Sequence, residues 1–323
     1  MADIRLEPIA DKTFGARVTG IRLKHITDED FDRLYASFLE YGFLLFPDQF
    51  LTEEENVAFG ERFGELEFGG APMANQKRLA EGEYGRVYDL DTQLMRTNVG
   101  NEAWHTDSTY KPHSSKCAML SAVTVPEQGG ETELADARAA YAALDTATRD
   151  KIQNLSAYHS TQFSQANDVG DFPPADDGGI YHGEAYLRPL VKVHPETGVP
   201  NLFIGRHAFG IPGLSRAESR ELLSTLMAFV VADPARVYTH HWQPGDTLVW
   251  DNRAILHRAR PYDYAEPRVL LGTRVAGEAS ELAYYPTDPE AAAGRAALAE
   301  ELELLKNEVT DRRYGATTAE RKS

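Results

Sequence analysis

Apolar residues recur at helical spacing behind two N-caps early in the chain. Thr27 precedes Asp28, Glu29 and Asp30, and Phe31, Leu34, Tyr35, Phe38 and Leu39 then share one face. Thr52 with Glu55 three residues later forms a capping box; Val57, Ala58 and Phe63 supply apolar contacts and Gly64 a stop. Both patterns predict helices packed on a core. Short β-rich runs follow at Phe43 to Phe46, Cys117 to Val125, Leu187 to Val193, Leu202 to Ile204, Thr247 to Trp250 and Val269 to Val275. Turn signals such as Pro195-Glu196-Thr197-Gly198 and Pro244-Gly245-Asp246 separate them. A third helix is expected from Ser215 to Ala232 and a fourth from Pro289 to about Asn307, with a frayed polar tail from Thr310 to Ser323. The stretch Phe163 to Glu184, rich in Asp, Gly and Pro, is too long for an ordinary connection and predicts a mobile loop or lid. Many short strands with a few helices imply an α+β fold, a jelly-roll-like β core with helices packed outside.

Length and charge narrow the picture. At 323 residues a two-domain chain is the first expectation, but no linker divides it. The expected organisation is a single domain over 1–280 followed by a helical extension and polar tail over 281–323. With 33 basic and 50 acidic residues the net charge is -17, and no basic run interrupts the acidity, so nucleic acid is excluded as an expected partner. Cys117 is the single cysteine, which rules out an intrachain disulfide and suits a reducing compartment. The opening residues lack the basic-then-apolar pattern of a leader, and the longest apolar stretch, around Leu222 to Ala232, is too short to span a bilayer. A cytoplasmic protein with no membrane contact is expected, and exposed helices suggest a homo-oligomer.

The sharpest chemical feature is Trp104-His105-Thr106-Asp107, expected on a strand so that positions 105 and 107 face one side. An imidazole beside a carboxylate supplies two-thirds of the facial triad of non-heme Fe(II) enzymes, and the third ligand must be a distant His. Alone, such a pair is equally well a surface pair at a strand end. The segment from Gly245 to His257 adds weight, reading as a turn, a buried strand and a loop ending in His. Eleven residues separate His257 from Arg268, enough for a loop to return the chain to an adjacent strand, so both can face one cavity. Arg268 and Arg274, six apart, share a face on an unbulged strand. A buried-facing arginine needs an anionic partner, because it cannot be neutralised by deprotonation. A dicarboxylate cosubstrate supplies one.

Taken together, the chain from about Leu6 to Gly277 resembles the taurine and aryloxyalkanoate family of Fe(II)- and 2-oxoglutarate-dependent dioxygenases. The residues carrying the resemblance are Gly15 to Gly20, Trp104-His105-Thr106-Asp107, Gly129-Gly130-Glu131-Thr132, Val193-His194-Pro195-Glu196-Thr197-Gly198, Trp250-Asp251-Asn252-Arg253, and His257 with Arg268. The stretches Val99 to His105 and Ile204 to Gly213 look most like the aryloxyalkanoate members, which act on phenoxyacetates and phenoxypropionates. The resemblance implies a double-stranded β-helix (jelly-roll, cupin-like) core. It implies His105, Asp107 and His257 as catalytic iron ligands, with Arg268 anchoring the distal carboxylate of 2-oxoglutarate and Thr132 donating a hydroxyl to it. Fe(II), 2-oxoglutarate and O2 are thus the implied cofactor and cosubstrates. Because related halogenases replace the carboxylate ligand with a small residue, Asp107 implies hydroxylation.

The departures bear on substrate. Taurine-specific members carry a His where Gly69 stands and an Arg where Gly272 stands, which disfavours a sulfonate. Arg274 is the candidate second cation for a small organic acid. Asn101 either lines the substrate site or caps backbone, and His207 either faces the pocket or packs. Other readings are a sulfonate-type or different 2-oxoglutarate dioxygenase, or a non-catalytic jelly-roll protein that binds an acid or a structural metal.

Overall fold

The computed structural model describes residues 3–68, 71–80, 82–176, 179–283 and 288–320. Its first helices begin where their caps place them. Thr27 accepts from the Asp30 amide ahead of helix Asp28–Tyr41, which ends at Gly42 in the left-handed conformation. The Thr52–Glu55 capping box heads Glu53–Glu61, and a second box, Ser215 with Glu218, heads Arg216–Ala232. Phe63 joins the first two helices, meeting Phe31, Phe38 and Phe59 edge-on at 5.1, 5.2 and 5.5 Å. Truncating it to Ala would cost about 3–5 kcal/mol through the cavity left.

The strands form two principal sheets. One has seven strands in the order Arg5–Pro8, Ala16–Thr19, Phe43–Phe46, Thr247–Asp251, Cys117–Thr124, Val269–Val275 and Ala71–Ala74. It is antiparallel except between Ala16–Thr19 and Phe43–Phe46. The other sets Thr132–Asp136 between Val237–His240 and Ile255–Ala259, all antiparallel. Leu120, Trp250 and Leu270 of the larger sheet pack in one cluster with Leu134 and Ile255 of the smaller, so the core lies between two layers. A further sheet joins Tyr186–Pro189, Ser156–His159 and Ala208–Phe209. Among the described residues no helix is long and apolar enough to cross a membrane.

Four expectations need correction. The run Leu187 to Val193 is two strands: Tyr186–Pro189 pairs with Ser156–His159, whereas Val191–Val193 pairs with Pro200–Leu202. Pro189, which has no N–H for a ladder, marks the change of partner, and Leu190 between the strands is fully buried. The strand expected at Leu202 to Ile204 is Pro200–Leu202. The start of the segment from Phe163 to Glu184, expected as a mobile loop or lid, is regular and packed. A short helix and a π turn occupy Thr161–Ser164 and Gln165–Val169, and Phe163 and Ala166 are buried against Leu298 and Leu305 of the last helix. Thr161 Oγ1 donates to the Ile180 carbonyl at 2.6 Å and Tyr181 Oη pairs with Thr97 Oγ1 at 2.9 Å. Lastly, the C-terminal helix is Asp288–Glu320, running through most of the stretch expected to fray; residues 321–323 lie outside the described residues, as does Gly69. Arg216 fastens this helix through Glu301 and Glu308 at 2.7 and 2.6 Å.

Candidate metal centre and its cavity

His105, Asp107 and His257 are buried, and one ligand atom from each lies within 4.8 Å of the others. The elements that deliver them differ from expectation. His257 stands on strand Ile255–Ala259 rather than at the end of a loop. His105 is not on a continuous strand: it makes one isolated antiparallel bridge, to His257, with amide–carbonyl bonds of 2.9 and 2.8 Å in the two directions. Asp107 follows in a turn, because Ser108 adopts the left-handed φ of 57° and ends any extended path. The cluster nonetheless forms, since bridging His105 to His257 puts their rings 4.2 Å apart.

The electrostatics suit a cation. Burial holds both imidazoles below the ordinary His range, His105 the more strongly, so both are neutral ligands near pH 7. The Nδ1 of His105 lies 2.8 Å from the Ala103 carbonyl and donates to it in the tautomer that leaves the Nε2 lone pair facing the cluster. Burial pushes the Asp107 carboxyl up, but Arg274, His257 and His105 outweigh it and bring its pKa to about 2. Asn252 Nδ2 donates to Asp107 Oδ2 at 3.2 Å and to Ser115 Oγ at 3.1 Å. Two neutral imidazoles and one ionised carboxylate are the donor set of a non-heme Fe(II) site, so the residues fit the implied metal.

A cavity of about 340 Å³ opens beside the cluster. Seven of the eight candidate residues line it: His105, Asp107 and His257 together with Asn101, Thr132, Arg268 and Arg274. His207 does not. It is buried behind the cluster, edge-on to His105 at 6.0 Å and to Tyr110 at 4.9 Å, with its Nδ1 2.9 Å from Ser164 Oγ. Asn101 lines the cavity and closes helix Gln93–Gly100 through its own amide, which donates to the Asn98 and Val99 carbonyls. Phe68, Met73, Leu120, Ile180, Tyr262 and Tyr264 supply apolar and aromatic wall.

Arg268 and Arg274 reach this cavity from the larger sheet, opposite rather than adjacent to the strand of His257. A bulge interrupts their ladder, but the unpaired residue, Val123, belongs to the neighbouring strand, so the alternation carrying both arginines survives. The guanidinium of Arg268 donates through Nη2 to the Gly130 carbonyl at 3.0 Å and lies 5.5 Å from the Tyr262 ring centre. Its Nε is buried with no hydrogen-bond partner. Gly130 has a φ of 69°, and a Cβ there would stand 3.1 Å from that Nε, so glycine keeps the approach open. Thr132 Oγ1 accepts from Trp242 Nε1 at 3.0 Å, which leaves its own proton free to donate. Arg274 is not without counter-ions: Nη2 lies 2.8 Å from Asp107 Oδ1 and Nε 4.0 Å from Glu67.

Two neighbours of the cluster had signals that went unused. Asn252 lies within the quoted Trp250 to Arg253 motif but reads as a loop residue until its contact with Asp107 is seen. Arg206 precedes His207; its side chain is buried against Gly100, pairs with Asp168 at 2.8 Å, and leaves Nη2 without a hydrogen-bond partner.

Comparison with known proteins agrees with this geometry. The chain is 46% identical over 279 residues to an (S)-phenoxypropionate/alpha-ketoglutarate-dioxygenase of Sphingobium herbicidovorans, covering 84% of this chain and 96% of that protein. It is 35% identical over 252 residues to the alpha-ketoglutarate-dependent 2,4-dichlorophenoxyacetate dioxygenase of Cupriavidus pinatubonensis, covering 72% and 83%. Among solved structures it resembles AAD-2 in complex with Mn(II) and N-oxalylglycine, with a TM-score of 0.79 and 33% identity over 86% of this chain and 98% of that one. Residues 5–274 match the model of the taurine catabolism dioxygenase TauD, TfdA family, and the chain belongs to that family.

Proposed function

We propose that this protein is an Fe(II)- and 2-oxoglutarate-dependent dioxygenase that hydroxylates an aryloxyalkanoate beside its ether oxygen. The hemiacetal collapses to a phenol and an oxo acid, while succinate and CO2 leave from the cosubstrate. The observation that carries this reading is the buried His105–Asp107–His257 cluster opening on a cavity that also holds Arg268 with an unsatisfied Nε. When bound, Fe(II) would activate O2, with 2-oxoglutarate giving up two electrons as it becomes succinate and CO2 and the hydroxylated substrate giving up the other two. In this reading the three cluster residues hold the metal, Arg268 pairs with the distal carboxylate of 2-oxoglutarate, and Thr132 donates its free hydroxyl proton to the same carboxylate.

The charges around the cavity favour an acid as substrate. Lys111 lies 2.6 Å from Glu67, Arg258 2.6 Å from Glu133, and Arg274 is shared between Asp107 and Glu67. Once Asp107 gives its charge to a metal, Arg274 is left with a deficit of anion that a substrate carboxylate makes good. Asn101 faces the same space, and His207 acts from behind through His105 and Tyr110. The aromatic walls accommodate an aryl ring. Sheets meeting across a common core are read as the two faces of a double-stranded β-helix, with 1–280 as the catalytic domain and 281–323 as its helical extension. A cytoplasmic homo-oligomer suits the single buried thiol and the long C-terminal helix.

The test is a panel of phenoxyacetates, both enantiomers of phenoxypropionates, and alkyl sulfonates, scored by succinate release with products identified by mass. Phenol release from the aryloxy acids is expected; turnover of sulfonates alone would reject the substrate class.

A further inference from the structure

Asp107 sits in a turn, and the ladder bonds that fix His257 do not reach it. The turn continues through Ser108, Thr109 and Tyr110, with the Lys111 amide donating to the Ser108 carbonyl at 2.9 Å. Tyr110 lines the cavity. The Ser115 amide donates to the Asp107 carbonyl at 3.3 Å and the Ala283 amide to that of Pro112 at 2.8 Å; the Thr109 and Lys111 carbonyls between them are held from strand Tyr186–Pro189, which belongs to neither principal sheet. The Arg188 side chain is fully buried, and its guanidinium fans out onto four main-chain carbonyls. Nε donates to Thr109 at 2.6 Å, Nη2 to Lys111 at 2.5 Å and Pro112 at 3.3 Å, and Nη1 to Glu281 at 2.9 Å. Three of those carbonyls belong to residues two to five places beyond Asp107.

We propose that Arg188 is a positioning residue for the metal centre: it sets the path of the 107–112 turn and thereby where the Asp107 carboxylate and the Tyr110 side chain stand. A planar fork with five donors is suited to gathering carbonyls from non-consecutive residues. Within the turn, Ser108 Oγ donates to Glu67 at 2.7 Å and Lys111 pairs with the same carboxylate at 2.6 Å, whereas Thr109 Oγ1 is buried with no hydrogen-bond partner, so the Thr109 stretch is held through its carbonyl. The Glu281 end of the clamp is itself held fast, its carboxylate taking Ser114 Oγ at 2.8 Å and the Lys192 ammonium. The fork therefore spans from a fixed post to the turn. Without it, the Thr109 and Lys111 carbonyls lose this donor, whereas those of Pro112 and Glu281 keep the Ala283 and Ser114 amides at 2.8 and 3.2 Å, so the stretch just beyond Asp107 must move to find others.

The inference rests on reading the cluster as a metal centre, and a Mn(II) titration followed by electron paramagnetic resonance separates the two. Wild-type protein should bind one Mn(II) and Asp107→Ala should not. If wild type binds none, or Asp107→Ala binds equally well, the metal reading falls regardless of Arg188. Given a wild-type site, Arg188→Met is expected to weaken Mn(II) by about 10- to 100-fold, the range typical when support to a metal ligand is removed. Arg188→Lys, which can restore part of the donor set, should recover part of that loss. Arg236 is the control: a buried arginine donating to the Phe229 carbonyl at 2.7 Å, it does not line the cavity. Arg236→Met should keep wild-type affinity within about twofold even where it lowers thermal stability as much as Arg188→Met. Wild-type affinity in Arg188→Met, or an equal loss in Arg236→Met, overturns the proposal. Should Arg188→Met not fold, Arg188→Lys decides, with unchanged Mn(II) affinity counting against it.

Discussion

His257 and Asp107 come within 3.5 Å of each other by opposite means. His257 stands on a strand whose five residues all pair with Thr132–Asp136, and its backbone pairs again with His105. Asp107 stands in a turn with one backbone bond to its carbonyl, from the Ser115 amide at 3.3 Å, and is otherwise fixed by side chains: Arg274 and Asn252 on its carboxylate, Arg188 on the backbone beyond it. Backbone ladders survive the replacement of almost any side chain, whereas an ion pair or a fork disappears with one substitution. The metal centre should therefore tolerate changes around His257 and be brittle around Asp107.

The largest effects come from the ligands themselves. His105→Ala, Asp107→Ala and His257→Ala are each expected to abolish 2-oxoglutarate turnover with the circular dichroism of the fold retained. Near wild-type succinate production from any one would remove it from the centre. Next is Arg268→Ala, which leaves the cosubstrate's distal carboxylate without its charge-assisted partner. A loss of about 3 kcal/mol, or roughly 100-fold in the 2-oxoglutarate requirement, is expected in steady-state titrations.

How legible this site was follows the same division. Alternation is a local property, so the strand that carries Arg274 and follows Arg268 is legible in the chain, and Val269–Val275 has the very bounds its pattern predicts; the strand of His257, where the sequence suggests a loop, is not. Capping boxes are equally local, which is why the first helices begin on their caps. The turn at Asp107 looks like a strand in the sequence because nothing within a few residues announces the left-handed Ser108. Its supports come from 145 residues away in Asn252 and 167 in Arg274, separations at which sequence pattern carries no pairing information. The packing at the start of the expected loop is hidden for a related reason: apolar partners of the buried Phe163 lie on the C-terminal helix.

The strand side of the comparison can be tested through Asp251, at the turn leading into the His257 strand. Its carboxylate takes Arg253 Nη2 at 2.8 Å and His194 Nε2 at 2.9 Å, all three buried. Burial alone would raise its pKa, but Arg253 and His194 hold it well below the usual carboxylate range. A depressed folded-state pKa contributes stability that is complete above the unfolded value of about 3.9 and is lost as pH falls through the folded one. Asp251→Asn should cost about 3 kcal/mol in urea unfolding at pH 7 and flatten the decline below about pH 4. Because ladder bonds still fix His257, Mn(II) affinity should stay near wild type; a large loss would contradict the division between the two ligands.

Arg274→Leu probes the turn side more gently. It removes a cation from Asp107 and from the acid substrate together, so a loss of about tenfold in kcat/KM is expected for aryloxy acids. Their methyl esters, which offer no carboxylate, should lose much less, and 2-oxoglutarate consumption should run ahead of product. Equal losses for acids and esters would confine Arg274 to holding Asp107.

The smallest effect belongs to Thr132, which sits on the ladder partner of the His257 strand and so should be the most forgiving of the lining residues. Its Oγ1 accepts from Trp242 Nε1, which orients the hydroxyl so that its one proton is offered elsewhere. Thr132→Val preserves shape and burial but removes that donor and leaves the indole N–H of Trp242 without its acceptor. Because Arg268 still supplies the larger share of the attraction, losing this one neutral donor is expected to cost about 1–1.4 kcal/mol. The 2-oxoglutarate requirement should therefore rise roughly 5- to 10-fold with kcat little changed, and Thr132→Ser, which keeps the hydroxyl, should stay near wild type. An unchanged requirement in Thr132→Val would make the Trp242 bond the whole role of this hydroxyl, and a loss as large as that of Arg268→Ala would show that the strand side is no more tolerant than the turn.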